Sequence, residues 1–176
     1  MNDRAPRTAP HRTAAHRSVR AAVARDVPQI ARLHVESWRE TYRGLMADAV
    51  LDDPGFISRR ERFWTAALTD PDYAANRIAV AEQDGSLIGI AMAGPVTEPD
   101  VQWSAQLYVL YTFAAVHGLG AGAALLDAVV EPTTTAGLWV ADPNPRAQAF
   151  YRKHGFLPDG AVKVEDGVCE IRMVRR

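Results

Sequence analysis

The stretch from Leu107 to Val130, LYVLYTFAAVHGLGAGAALLDAVV, constrains this chain most: an apolar β-type run passes through a glycine-rich turn into a helix. Gly118, Gly120 and Gly122 leave amide N–H groups uncovered. The first turn of the helix adds four donors with no intrahelical partner and a partial positive charge of about half a unit. Strand, bare turn and helix N-terminus together make an anion site, whose natural guest is a phosphate or pyrophosphate.

Taken alone, Gly118 to Ala123 also fits the dinucleotide fingerprint G-x-G-x-x-G/A, with Asp142 at about the right distance for the ribose-binding acid. A small NAD(P)-dependent oxidoreductase is therefore one reading. Against it, the segments around the turn do not alternate strand and helix repeatedly. A P-loop fits less well, because no Lys-Ser/Thr pair follows the last glycine.

The flanking sequence supplies the order of elements. Ser18 to Ala24 reads as a first strand, followed by a helix with Asp26 as N-cap, Pro28 in the first turn and Gly44 after its end. A second helix starts at Asp53-Pro54 and runs to Leu68. Arg77 to Glu82 and Leu87 to Ala93 form a hairpin across Asp84-Gly85. Trp103 to Thr112 is the long central strand, Gly120 to Val130 the helix after the turn, and Leu138 to Ala141 a short apolar strand. Asn144 and Pro145 open a last helix that Gly155 closes. Ala161 to Val164 and Glu170 to Arg175 end the chain as a hairpin around Asp166-Gly167. The fold class is α/β.

With this order in place, the chain resembles the GCN5-related N-acetyltransferase (GNAT) superfamily over residues 18–176. The family's Q/R-x-x-G-x-G/A signature is matched by His117, Gly118, Leu119, Gly120, Ala121 and Gly122, with histidine in the first position. Leu110-Tyr111-Thr112 corresponds to the L-Y-V end of the family's fourth strand, with Ala114 where proline is common. The segment N-x-x-A-x-x-F-Y-x-K-x-G-F is matched at Asn144, Phe150-Tyr151, Lys153, Gly155 and Phe156, and the W-x-x-T-Y-x-G opening at Trp38, Thr41, Tyr42 and Gly44. The resemblance implies a GNAT fold, a central mixed sheet of about seven strands flanked by about four helices.

It also implies a function, transfer of an acetyl group from acetyl-CoA to a primary amine by direct attack on the thioester, without a metal. Amides from His117 to Gly122 would hold the CoA pyrophosphate, the backbone at Leu110 and Thr112 would pair with the pantetheine arm, and Asn144 would contact that arm as well as cap its helix. Tyr151 would be the general acid that protonates the departing thiolate. Trp38 and Tyr42 are expected to line the acceptor site, whereas Phe63 and Trp64 read as core. Many members carry a glutamate base at the start of strand four; Gln106 stands there in this chain, and His34, Glu36 and Glu40 on the first helix are the alternatives. A family module that binds acyl-CoA without turnover is a further reading.

Composition bounds the partners. At 176 residues with 48% apolar content, one domain can bury a core without staples. A net charge of −1 gives no electrostatic ground for nucleic acid or an anionic membrane. Cys169 is alone and no Cys/His cluster has zinc spacing. The arginine-rich residues 1–17, broken by Pro6 and Pro10, are expected to be a disordered tail, and residues 18–176 the single catalytic domain. The expected location is the cytoplasm and the acceptor a small-molecule, peptide or protein amine. A homodimer is left open.

Overall fold

The two Asp-Gly turns form hairpins of the same kind. Asp84 and Gly85 have φ of +50° and +83°, Asp166 and Gly167 of +51° and +79°, the left-handed pair of a type I′ turn that matches strand twist. The computed structural model describes residues 17–176, so the segment expected to be a disordered tail lies outside the described residues, apart from Arg17. That residue begins the first strand.

Among the described residues seven strands form one sheet in the order β1-β2-β3-β4-β5-β7-β6. They are β1 (Arg17–Ala21), β2 (Arg77–Gln83), β3 (Ser86–Gly94), β4 (Ala105–Thr112), β5 (Ala136–Ala141), β6 (Leu157–Glu165) and β7 (Val168–Arg175). The helices are α1 (Val27–Tyr42), the single turn α2 (Asp48–Leu51), α3 (Phe56–Thr69), α4 (Ala121–Val129) and α5 (Pro145–Lys153). Only β4 and β5 run parallel among neighbours. This mixed sheet excludes the oxidoreductase reading, which needs a parallel sheet wound by repeated crossovers.

β2 and β3 are buried on both faces, which explains their nearly unbroken apolar sequence. On one side Leu125, Leu126, Leu138, Phe156 and Met173 pack around α4. On the other, Ile30, Leu33, Trp64, Val80 and Ile90 join α1 and α3 to the sheet. Phe63 is partly buried against this second cluster and Trp64 fully buried within it, so both are core, as expected. Among the described residues no helix is long and apolar enough to cross a membrane.

Some local expectations are corrected. Asp26 does not cap α1. Its carboxylate turns back to accept from Arg20 Nη1 and Nη2 at 2.7 and 2.9 Å and from the Val23 amide at 2.9 Å, because an ion pair with bidentate geometry outcompetes a single amide. β4 starts at Ala105 rather than Trp103. The Trp103 indole instead lies across Gly137, where a Cβ would come within 2.4 Å of the ring, so the glycine allows this crossing. β6 starts at Leu157, four residues early, and passes through an irregularity between Pro158 and Val162. The isolated turn α2 has no periodic signal of its own.

β4 also contains a bulge. Val109 faces Met92 and Leu107 faces Ala93, leaving Tyr108 as an extra residue on β4. A bulge bends the strand that carries it. β4 pairs with β5 only over Ala105–Leu107 against Ala136–Leu138, and past that point the two parallel strands separate.

Candidate functional site

The separation of β4 from β5 opens a cleft of about 360 Å³. One wall is β4 from Leu107 to Thr112, the other β5 from Leu138 to Ala141, with α5 and the glycine turn closing one side and Thr41-Tyr42 the other. Main-chain groups of β4 from Tyr108 onward have no β5 partner, so the wall can accept another extended chain.

The turn carries the expected geometry. Gly118 and Gly120 have φ of +76° and +89°, and Gly120 is the residue that precedes α4. Neither would bring a Cβ within 4 Å of any atom, so the space over the turn is open. Gly118, Gly120 and Gly122 line the cleft; Leu119 points outward, 47% exposed, and Ala121 is buried beneath. The α4 N-terminus has no side-chain cap, which leaves its amides free for an anion.

His117 lines the cleft as well. Its Nε2 lies 3.2 Å from the Thr112 carbonyl and its Nδ1 meets the Arg146 guanidinium. The contacts fit a neutral ring that donates from Nε2 and accepts at Nδ1. Burial first, and Arg146 second, lower its pKa, so a positive charge at this corner comes from Arg146 rather than from His117. Arg146 is a site residue that the sequence reading missed. Its only trace is its place in the first turn after Asn144-Pro145.

Asn144 caps α5, its Oδ1 accepting from the Ala147 amide at 3.1 Å, and also lines the cleft. The Asn144→Ala variant should lose about 1 kcal/mol of stability, within the usual range for a cap, and about 2–4 °C in Tm for a domain of this size. Thermal unfolding checks this; an unchanged Tm would mean that α5 is held by packing alone.

Phenols dominate the opposite half. Tyr42, Tyr108, Tyr111 and Tyr151 all line the cleft. The Tyr42 and Tyr111 hydroxyls are 3.4 Å apart, although 69 residues separate them in the chain. Tyr151, 8% exposed, packs edge-on against Phe150 and Phe156 at 5.3 and 5.9 Å. Burial, with Tyr42 as the second cause, raises the Tyr151 pKa, and burial raises that of Tyr111 well above the ordinary value. Trp38 does not line the cleft. It stands behind Tyr42, 5.2 Å away edge-on, and supports it.

Gln106, in the position of the family's glutamate, and the candidate bases Glu36, Glu40 and His34 each hold a partner outside the cleft. Gln106, 5% exposed, accepts from Trp103 Nε1 at 3.2 Å. Glu36 pairs with Arg39 at 2.7 Å, and Glu40 accepts the Ala114 amide at 3.0 Å. His34 is buried at 2% exposure and its Nδ1 accepts from Trp64 Nε1 at 3.1 Å. None of the four lines the cleft. Among the described residues no group of His, Cys, Asp and Glu side chains could hold a metal ion.

Comparison with known proteins adds to this geometry. A profile of the Acetyltransferase (GNAT) family matches residues 27–156. The chain is 29% identical over 147 residues to a probable N-acetyltransferase of Mycobacterium tuberculosis, covering 81% of this chain and 80% of that one. It is 28% identical over 143 residues to an uncharacterized N-acetyltransferase of Bacillus subtilis, covering 78% of each. The fold is similar to that of the PaiA N-acetyltransferase of Thermoplasma acidophilum, solved in complex with coenzyme A, with a TM-score of 0.69 at 19% identity over 92% of this chain and 99% of that one. It is also similar to a histone acetyltransferase HPA2-related acetyltransferase from Corynebacterium glutamicum, with a TM-score of 0.66 at 23% identity, covering 90% and 95%.

Proposed function

Because the chain belongs to the Acetyltransferase (GNAT) family, we propose that it transfers an acetyl group from acetyl-CoA to a primary amine by direct attack on the thioester. The observation that carries this reading is the divergence of β4 and β5 onto the glycine turn. That arrangement offers an extended pantetheine arm a free strand edge, and a diphosphate the amides of a helix start, within one continuous cleft.

In this reading the amides of Gly118 and of Gly120 to Gly122 bind the pyrophosphate, those of His117 and Leu119 being taken by the Ala114 and Val116 carbonyls at 3.1 and 3.3 Å, and Arg146 adds its charge from α5. The backbone at Leu110 and Thr112 pairs with the pantetheine arm, and Asn144 bounds it from the other wall. Tyr42 forms part of the acceptor side, held by Trp38. The amine nitrogen attacks the thioester carbonyl, a β4 amide meets the developing oxyanion, and Tyr151 delivers a proton to the sulfur as the C–S bond breaks. Burial, with Tyr42 second, holds Tyr151 in its protonated form, so its proton is present when the thiolate forms.

Two measurements test the proposal. CoA release that depends on an added amine supports transfer; tight acetyl-CoA binding without release for any amine would favour a non-catalytic binding module. Substituting the turn tests the cradle. Gly120→Val places a branched side chain at a φ of +89° in the open space above the amides. A hydrogen bond to a charged group is worth about 1.5–3 kcal/mol, and 1.4 kcal/mol is tenfold in affinity. Acetyl-CoA binding, read by calorimetry, should therefore weaken about tenfold or more. Unchanged affinity would remove the turn from the cofactor site.

A further inference from the structure

Among the described residues that line this cleft there is no aspartate or glutamate to pair with an ammonium group, whereas Arg146 and Lys153 are both present. The rest of its lining includes phenols, aliphatic groups, Trp139, Phe150 and the imidazoles of His117 and His154, with Tyr42, Tyr111 and Tyr151 each shifted towards their neutral forms by burial. A desolvated cation with no carboxylate among the lining residues is disfavoured.

The carboxylates around the cleft are held by other groups. From the β3–β4 connection, Glu98 accepts from Trp139 Nε1 and Arg172, both at 2.7 Å. On β7, Glu170, whose charge reaches Tyr42, is 3.2 Å from Lys163. On α1, Glu40 holds the Ala114 amide, and past the end of β5 Asp142 accepts from Gln148 at 3.0 Å. Facing Tyr111 is the Arg60 guanidinium of α3, stacked on Trp38 and Phe56 at 4.7 and 5.2 Å, with Asp166 of the β6–β7 turn as the carboxylate whose charge reaches that guanidinium. His34 of α1 faces the Tyr111 ring at 5.1 Å as a buried, neutral imidazole.

We infer that the acceptor enters this cleft as a neutral, weakly basic amine, an α-amino group or an aromatic amine, and not as an alkyl ammonium such as a lysine side chain. The inference rests on the acetyl-transfer reading and narrows its substrate class. The neutral nitrogen uses its lone pair to form the C–N bond, and the C–S bond breaks with its electron pair on sulfur. Tyr151 gives its proton to that sulfur, and the surplus proton on nitrogen leaves to solvent, from which Tyr151 recovers one. No enzyme base enters the balance. At pH 7 an amine of pKa ~10.4 is neutral in fewer than about one molecule in a thousand, while an α-amino group of pKa ~7.7–8.0 is neutral in about one in ten. The alkyl amine's greater nucleophilicity offsets part of that difference.

The test is CoA release from acetyl-CoA between pH 6 and pH 10 with three acceptors: triglycine amide, which offers an α-amino group, an aniline, and Nα-acetyl-lysine amide, which offers an ε-amino group. The expected kcat/KM rises with pH and levels off at each acceptor's own pKa, is flat for the aniline, and at pH 7 favours triglycine amide over the lysine derivative about tenfold or more. Rises at one shared pH below ~7, whatever the amine, would reveal an enzyme base and overturn the inference, as would equal rates for the α- and ε-amines at pH 7. Glu170→Gln should leave the profiles in place; a profile displaced in that variant would make Glu170 the base. Acetyl-CoA binding with no release for any of the three at any pH would sink the transfer reading itself, and this inference with it.

Discussion

Tyr151→Phe is expected to lower kcat by about 10²–10⁴-fold, the range over which a positioned general acid acts, while acetyl-CoA affinity stays nearly unchanged. The substitution removes one oxygen from a ring that otherwise keeps its place. Phe150 and Phe156 hold that ring edge-on at 5.3 and 5.9 Å, and phenylalanine makes the same contacts. Binding survives because the glycine turn and the β4 edge are main-chain features that the substitution does not reach. The pH dependence adds a second check. Burial and the neighbouring Tyr42 raise the pKa of the phenol, so the wild-type rate should not fall through its deprotonation at or below pH 10. Steady-state kinetics with calorimetry on both proteins decide the matter; an unchanged kcat would remove Tyr151 from the acid role.

His34 should make the protein lose stability on mild acidification. Burial, and then the Arg60 charge, lower its pKa from 6.5 to about 3. The unfolded chain therefore binds a proton that the folded chain refuses. The resulting stability is fully present above pH ~6.5 and is lost as pH falls towards the folded pKa, by up to about 1.4 kcal/mol per unit and roughly 4–5 kcal/mol in all. Carboxylates titrate mainly below pH ~4.5, so the interval from 6.5 to 5 isolates the histidines. His117, also shifted down, adds a slope of the same sign. Denaturant unfolding at several pH values should show the fall in the wild type and a shallower one in His34→Gln, whose amide can still accept from Trp64. An equal slope in both would mean that His34 is protonated in the folded state.

The motif residues and the structural frame were legible to different degrees. The glycine turn, the Asn144 cap, the hairpins at Asp84-Gly85 and Asp166-Gly167, and the helix carrying Phe150-Tyr151 follow from rules that act within a few residues. Asp26 misled because its local spacing suits a cap, while Arg20, brought alongside by the turn at Ala24, offers two charged hydrogen bonds instead. Trp38 lies on the helical face its spacing gives, and packs edge-on against Tyr42 one turn on without lining the cleft itself. Arg146 and the engagement of Gln106 by Trp103 have no periodic signal.

By itself, then, the sequence determined the order of the main elements, the family and the glycine turn that opens α4, because caps, turns and amphipathic periods are written in contiguous residues. Only the tertiary structure decided the cleft. The bulge at Tyr108 parts β4 from β5, the Tyr42 and Tyr111 hydroxyls meet across 69 residues, and the nearby carboxylates are bound elsewhere. Each of these depends on which side chains reach one another when distant segments pack, and no local pattern specifies that.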